Sequence, residues 1–189
     1  MTNFFAVFGL PSRPVIDVVQ LSDLYANKSK TAHPDRGADS DFATLNEAFR
    51  TLSDPVSRLW HLLAITGVAP RSTTPSPEIN GWFGQVASGL RRFDQLLQPL
   101  SQETSSLLRA MKIREVQPAV SELDHLADEL TRQKEELLQA TAQIDARWSD
   151  NLAADRVSLA QIACDLRFIE KWLAQIAERR LRFQESANY

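Results

Sequence analysis

Apolar residues recur at helical spacing along most of the chain, and no run of alternating apolar and polar residues indicates a strand. In the first third, a short apolar helical turn is predicted at residues 3 to 10, with Asn3 as N-cap and Gly9 at its end. Helices are predicted from Asp17 to Ala32 and from Asp41 to Ser53, forming an antiparallel pair with a polar loop at its apex. A further helix starts at Asp54-Pro55 and ends at Gly67. The apolar faces of the paired helices are Val18, Leu21, Leu24 and Tyr25, and Phe42, Leu45, Phe49 and Leu52.

Residues 68 to 77 concentrate three prolines with Ser and Thr, which is typical of a linker. They divide the sequence into a first domain at residues 1 to 67 and a second at residues 78 to 189.

In the second domain, a helix is predicted from Glu78 to Gln98, where Pro99 should end it. A shorter helical segment follows from Thr104 to Glu115, before Pro118. Beyond Pro118, one long apolar pattern runs to a turn at residues 149 to 151, and a last helix carries a stripe at alternating three- and four-residue steps. These helices predict a helical bundle, so the fold class is all-α. The two stripes are Leu123, Leu126, Leu130, Leu137, Ile144 and Trp148, and Leu159, Ile162, Leu166, Ile169, Leu173, Ile176 and Phe183.

The composition is that of an ordinary globular protein, since 43% of the 189 residues are hydrophobic and 24% are charged. Only 6 glycines and many Leu, Ala, Glu, Gln and Arg residues favour helices over strands. A formal net charge of −3 disfavours a nucleic-acid binder. The single cysteine, Cys164, cannot form an internal disulfide. No apolar run is long enough to span a bilayer, and no secretion signal is evident, so we expect a cytoplasmic protein.

The tripeptide His33-Pro34-Asp35 stands where the second predicted helix gives way to a polar loop. Pro34 lacks an N–H and disfavours helical geometry at the preceding residue, so the helix should end there. The glycine and short polar residues that follow suit a turn in which the Asp35 carboxylate points outward. Such a carboxylate can accept a bidentate arginine from a partner, which makes this loop a candidate docking site. Its neighbouring cations are Lys28, Lys30 and Arg36.

Catalysis by His33 and Asp35 would require a general acid–base pair. Pro34 directs the two side chains differently, and no nucleophile, glycine-rich phosphate loop or metal-ligand spacing accompanies them. We therefore predict no enzymatic activity, cofactor or metal ion. His61 and His125 are isolated within helical patterns and are predicted to be packing or surface residues, and Cys164 a small buried hydrophobe.

Three aromatic residues of the second domain are candidates for a binding surface. Trp82 and Phe83 are adjacent and cannot both point inward on one helix, so one should be exposed, either at an interface or against the first domain. Phe168 flanks the stripe of the last helix, and the periodicity leaves it open whether this ring lies in the core or at the surface.

Several separated motifs resemble the J-domain co-chaperones, specifically the HscB type that serves iron–sulfur cluster assembly, over nearly the whole chain. Near the carboxyl end, residues 166 to 171 resemble the last-helix motif of that family. In the first domain the matching residues are Phe5, Phe8-Gly9-Leu10-Pro11, His33-Pro34-Asp35, Leu45-Asn46-Glu47-Ala48-Phe49, Leu52, Pro55, Arg58 and Leu62-Leu63.

The resemblance implies that the first domain stimulates ATP hydrolysis by a DnaK- or HscA-class chaperone and that the second holds a client, the iron–sulfur scaffold protein. It implies chaperone contacts at His33, Pro34, Asp35, Lys28, Lys30 and Arg36, and client contacts at Trp82, Phe83, Val86 and Phe168.

Two features depart from the family pattern. Lys28 and Ala32 stand where the family usually has an apolar and an aromatic residue. Ala87 and Leu90 stand where its client face has acids. The alternative hypothesis is therefore a J-domain adaptor whose second domain binds an unrelated client or mediates self-association.

Overall fold

The computed structural model describes residues 1–31, 39–67, 74–148 and 153–188. Within these ranges every helix or strand assigned is an α-helix, which confirms the predicted all-α fold class. No helix of this part of the chain combines the length and apolarity needed to cross a membrane. The helices are α1 (Phe4–Phe8), α2 (Val18–Thr31), α3 (Asp39–Ser53), α4 (Pro55–Ile65), α5 (Pro77–Ser101), α6 (Ser106–Ala146) and α7 (Ala153–Asn188).

The chain divides into two compact units. Unit 1 comprises Met1–Thr74 and Leu137–Cys164, and unit 2 comprises Pro75–Glu136 and Asp165–Tyr189. The sequence-based boundary at residues 68 to 77 stays a prediction. Residues 68–73 and the predicted turn at 149–151 lie outside the described ranges.

Helix α1 has both of its predicted caps. The side-chain oxygen of Asn3 accepts the N–H of Phe5 at 3.0 Å, which satisfies a backbone donor of the first turn. Gly9 has a φ of 67°, in the left-handed region that favours glycine, and ends the helix. These caps fix a five-residue helix whose three phenylalanines are all buried.

The core of unit 1 lies where α1 to α4 meet. Helix α3 packs against α1, α2 and α4, and α2 and α3 form the predicted antiparallel pair, with the ring of Tyr25 stacked on that of Phe49 at 4.3 Å. Val18, predicted to lie on the buried stripe of α2, is exposed because the buried face begins one turn later. The buried residues include Phe5, Leu21, Ala48, Leu52, Leu59, Leu62 and Leu63.

Two polar side chains of α4, Arg58 and His61, are buried in this core. The Arg58 guanidinium donates to the carbonyl of Pro14 at 2.9 Å and to the carbonyl of Leu52 at 2.6 Å. His61 accepts the backbone N–H of Phe4 through Nε2 at 3.0 Å. Arg58 therefore joins α4 to the end of α3 and to the segment before α2, while His61 joins α4 to α1.

Unit 1 also contains the end of α6, which is bound to the segment between α1 and α2. The Asp145 carboxylate forms an ion pair with Arg13 and accepts the backbone N–H of Val15 at 3.0 Å. The Trp148 indole N–H donates to the carbonyl of Ser12 at 3.1 Å. Three hydrogen-bonding groups thus fix a segment that has no helix of its own.

Unit 2 is a bundle built from α5, most of α6 and the last part of α7, as the apolar stripes predicted. Gly89 allows close packing, since a Cβ built there would lie 3.0 Å from a methyl carbon of Leu126. The buried residues include Phe93, Leu97, Leu100, Val116, Leu123, Leu130, Ile169 and Ile176.

Two predicted helix ends in unit 2 are wrong. Helix α5 continues through Pro99 to Ser101, and α6 is one helix that passes through Pro118. An internal proline costs about 3 kcal/mol through its lost hydrogen bond and its clash with the preceding turn. Both prolines lie on exposed faces where water can reach the released carbonyl, while apolar neighbours on the opposite faces are buried. That burial outweighs the local cost.

Candidate functional site

Two of the predicted chaperone-contact residues lie at the end of α2. Lys28 and Lys30 are exposed in its last turn, where a cation also interacts favourably with the helix dipole. The remaining residues of this candidate site, His33, Pro34, Asp35 and Arg36, lie outside the described residues.

The carboxyl-terminal half of α2 is held against α3 by Tyr25. Its hydroxyl donates to the side-chain oxygen of Asn46 at 2.6 Å, in addition to the ring contact with Phe49. This side chain therefore combines apolar contact with a directional bond, and it lies one turn before the two lysines. The spacing of α2 and α3 is thereby set close to where Lys28 and Lys30 enter solvent.

In unit 2, the structure brings together two of the four predicted client-contact residues. The ring of Phe83 on α5 lies 5.3 Å from that of Phe168 on α7, in an edge-to-face arrangement. A third ring, Trp172, lies 4.8 Å from Phe83 and 6.0 Å from Phe168. Phe83 is 38% exposed, so the cluster has a solvent-facing side.

The other two predicted client residues lie differently. Trp82 is half-buried on α5, outside the contacts of the three rings. Val86 is 1% exposed, so it offers almost no surface to a partner. Of the three predicted residues on α5, Phe83 is thus the exposed one, and the client contact itself stays a prediction.

Trp172 was not among the predicted contact residues, although its spacing from Phe168 indicates a shared helix face. It follows Phe168 by four residues and so lies on the same face of a helix. The periodic stripe instead assigned the neighbouring Leu173 to the core. Trp172 is the more buried of the two, at 5% exposure, because α5 lies against that side of α7.

The start of α5 is fixed to α7 by hydrogen bonds. Ser76 is the N-cap of α5, and its hydroxyl accepts the N–H of Ile79 at 3.3 Å. The backbone N–H of Ser76 donates to the buried carboxylate of Asp165 at 2.8 Å. Because Asp165 precedes Phe168 by less than one turn, the bond helps set the register that brings Phe83 to Phe168.

Within the described ranges, no group of three or more His, Cys, Asp or Glu side chains is arranged to hold a metal ion. His61 is a core residue and His125 is exposed, and Cys164 is buried as predicted.

The sequence of the chain was compared with protein-family models and with known proteins. No protein-family model matches it. A Co-chaperone protein HscB homolog from Shewanella amazonensis is 35% identical over 82 residues, which cover 38% of this chain and 47% of that protein. The chain thus spans about half the length of this relative. Another HscB homolog, from Cupriavidus taiwanensis, is 32% identical over 123 residues, covering 53% of this chain and 70% of that protein.

The fold agrees with these sequence matches. The solved structure of chaperone HscB from Vibrio cholerae matches with a TM-score of 0.62 and 19% identity, covering 96% of this chain and 99% of that chain. The resemblance drawn from the separated motifs is confirmed, and the chain belongs to the HscB family of co-chaperones.

Proposed function

We propose that this chain stimulates ATP hydrolysis by a DnaK- or HscA-class chaperone and delivers a client to it, the scaffold protein of iron–sulfur cluster assembly. The carrying observation is the 32% identity with an HscB homolog over 70% of that protein's length. The chain would act in the cytoplasm and perform no chemistry of its own, because the hydrolysed bond belongs to ATP on the partner.

The chaperone contact in this proposal is His33-Pro34-Asp35, with Lys28, Lys30 and Arg36 as electrostatic support. Two exposed lysines at the end of α2 support this assignment, since clustered charge at a rim speeds encounter with an oppositely charged partner. Asp35 would accept an arginine of the chaperone, and this contact would favour the chaperone's hydrolysis-competent state.

The test replaces Asp35 by Asn, which removes the charge at nearly constant volume. We expect stimulation of the chaperone's ATPase to be lost in a steady-state phosphate-release assay, because a bidentate bond to arginine needs the carboxylate. Asp23→Asn, at an exposed position of α2, is the matched control and should retain stimulation. Full stimulation by the Asp35→Asn protein would refute the proposed contact.

The client contact in this proposal is the aromatic cluster of unit 2 together with Trp82 and Val86 on the same helix as Phe83. The exposed edge of Phe83 supports the assignment, because aromatic residues dominate the binding energy of many protein interfaces. A pull-down with purified scaffold protein tests the identity of the client. Loss of scaffold binding in Phe83→Ala, with ATPase stimulation retained, is the expected result.

One observation favours a second candidate, an adaptor for a different client. Ala87 is exposed and Leu90 is buried, so neither position supplies the acid that the family pattern has there. Stimulation of the ATPase without scaffold binding would support this candidate. A dimer in light scattering would instead support self-association through unit 2.

A further inference from the structure

The solvent-facing side of the aromatic cluster is flanked by positive charge. On α7, the Arg167 guanidinium lies 5.6 Å from the centroid of the Phe168 ring. Lys171 follows Arg167 by one turn, and both side chains are exposed. A cation beside an aromatic face is attracted by the ring quadrupole, which keeps Arg167 next to the cluster.

On α5, the positions one and two turns after Phe83 carry no negative charge. Ala87 and Arg91 follow Phe83 by one and two turns, and both are exposed. Residues at four-residue steps share a helix face, so the apolar edge of Phe83 continues into a small neutral residue and then a cation. We call Phe83, Phe168, Trp172, Arg91, Arg167 and Lys171 the basic aromatic surface.

These three cations differ from others of unit 2. Arg179 pairs with Asp94 at 2.7 Å, Arg180 with Asp124 at 2.9 Å, and Lys134 with Glu170 at 2.8 Å. Among the described residues, no ion pair is formed by Arg91, Arg167 or Lys171.

The lack of ion pairs at these three cations does not follow from a shortage of acidic residues. The chain has 24 acidic against 21 basic residues, so acids are not in short supply. Three cations without an ion pair among the described residues, beside a cluster in which the Phe83 ring is exposed, could therefore pair with carboxylates of a partner.

We propose that the basic aromatic surface binds a protein segment in which apolar side chains are flanked by aspartate or glutamate. The apolar side chains contact Phe83 and Phe168, and the carboxylates pair with Arg167, Lys171 and Arg91. This inference rests on the proposed function, in which unit 2 holds the client, and it specifies the charge of the client segment. A nucleic acid fits less well, because the chain's net charge of −3 disfavours binding of a polyanion.

The test measures fluorescence anisotropy of the full-length chain with two labelled peptides. Both carry the same leucine and phenylalanine residues, separated by glutamates in one peptide and by lysines in the other. At low salt we expect the acidic peptide to bind about tenfold more tightly, since each exposed ion pair strengthens binding by up to about fivefold and up to three pairs can form. The difference should shrink as salt screens the charges.

Charge-reversal variants locate the contact. The double variant Arg167→Glu with Lys171→Glu should lose about tenfold in affinity for the acidic peptide. The control, Arg50→Glu with Arg114→Glu, makes the same change in net charge at exposed positions outside the surface and should bind as the unmodified chain does. Phe83→Ala should weaken both peptides, and helical circular dichroism checks that each variant is folded.

Three results would overturn the inference: equal binding of the two peptides, binding of neither, or tighter binding of a single-stranded oligothymidine than of the acidic peptide. ATPase stimulation is measured in parallel to separate this inference from the proposed function. The Asp35→Asn chain should still bind the acidic peptide. Loss of charge preference with intact stimulation would remove only the inference, whereas peptide binding without stimulation would remove only the chaperone contact.

Discussion

The buried polar residue His61 connects α4 to α1. The His61 ring is 3% exposed, accepts the Phe4 N–H, and stacks on the Phe4 ring at a centroid distance of 4.4 Å. Acceptance at Nε2 requires an unprotonated nitrogen there, so the neutral imidazole is the form that fits. Burial lowers the pKa of His61 below its ordinary value of 6.5, and the negative charge of Glu47 opposes this shift.

A pH dependence of stability follows from His61. Because the folded-state pKa lies below the unfolded-state value, the unfolded chain takes up this proton first as the pH falls. The stabilisation is fully present above about pH 6.5 and is lost as the pH falls from there through the folded-state pKa. Urea unfolding followed by circular dichroism should therefore give a lower free energy of unfolding at about pH 5 than at about pH 7.5.

The matched variant for this prediction is His61→Gln, whose amide oxygen can accept the Phe4 N–H but does not titrate. Its stability should depend less on pH over the same range. Identical pH profiles for the two chains would show that another group is responsible.

At the scale of helices, a glycine stabilises a helix end in the left-handed conformation but destabilises a helix when it lies inside it. Gly9 ends α1 with a φ of 67°, whereas Gly81 lies within α5. A Cβ added at either position would meet no atom within 4 Å. Differences between the two substitutions therefore report the backbone and not packing.

Replacing these glycines by alanine should change stability in opposite directions. Gly9→Ala should lower the free energy of unfolding by about 1–2 kcal/mol, because an L-residue is strained in the left-handed region. Gly81→Ala should raise it by roughly 0.5–1 kcal/mol through better helix propensity. Denaturant midpoints at constant m-value measure both, and a stabilising Gly9→Ala would contradict the assigned cap.

At the scale of the whole molecule, residues distant in sequence hold unit 1 together. Asp145 pairs with Arg13, 132 positions earlier, and also binds the backbone of Val15. The carboxylate is 11% exposed, so water is a poor substitute for these partners. The segment between α1 and α2 consequently depends on residues near the end of α6.

Removing this carboxylate should destabilise the protein. Asp145→Ala is expected to lower stability by roughly 1–3 kcal/mol, since it leaves the Val15 N–H without its partner, and to lower the melting temperature by several degrees. Asp128→Ala, at an exposed position of α6, should change it little. Calorimetry of the two variants measures the difference, and equal melting temperatures would show that the contact contributes nothing.

The candidate sites differ in how far sequence reasoning could find them. His33-Pro34-Asp35 can be singled out without coordinates because its residues are consecutive and their chemistry is local. The aromatic cluster could be predicted only in part. The helical period did not decide whether Phe168 is buried or exposed, and it did not indicate Trp172. Its geometry depends on α5 lying beside α7, which brings Phe83 to rings that are distant in sequence.

The sequence by itself determined the helical class, the caps of α1, the start of α4 at Asp54-Pro55 and most of the buried stripes, because these depend on dihedral preferences and on the helical period within a few residues. The tertiary structure decided that α5 and α6 continue through their prolines, that Arg58 and His61 are buried, and that Asp145 holds the segment after α1. These outcomes required tertiary packing because each balances a local cost against contacts with residues that only the folded chain brings near.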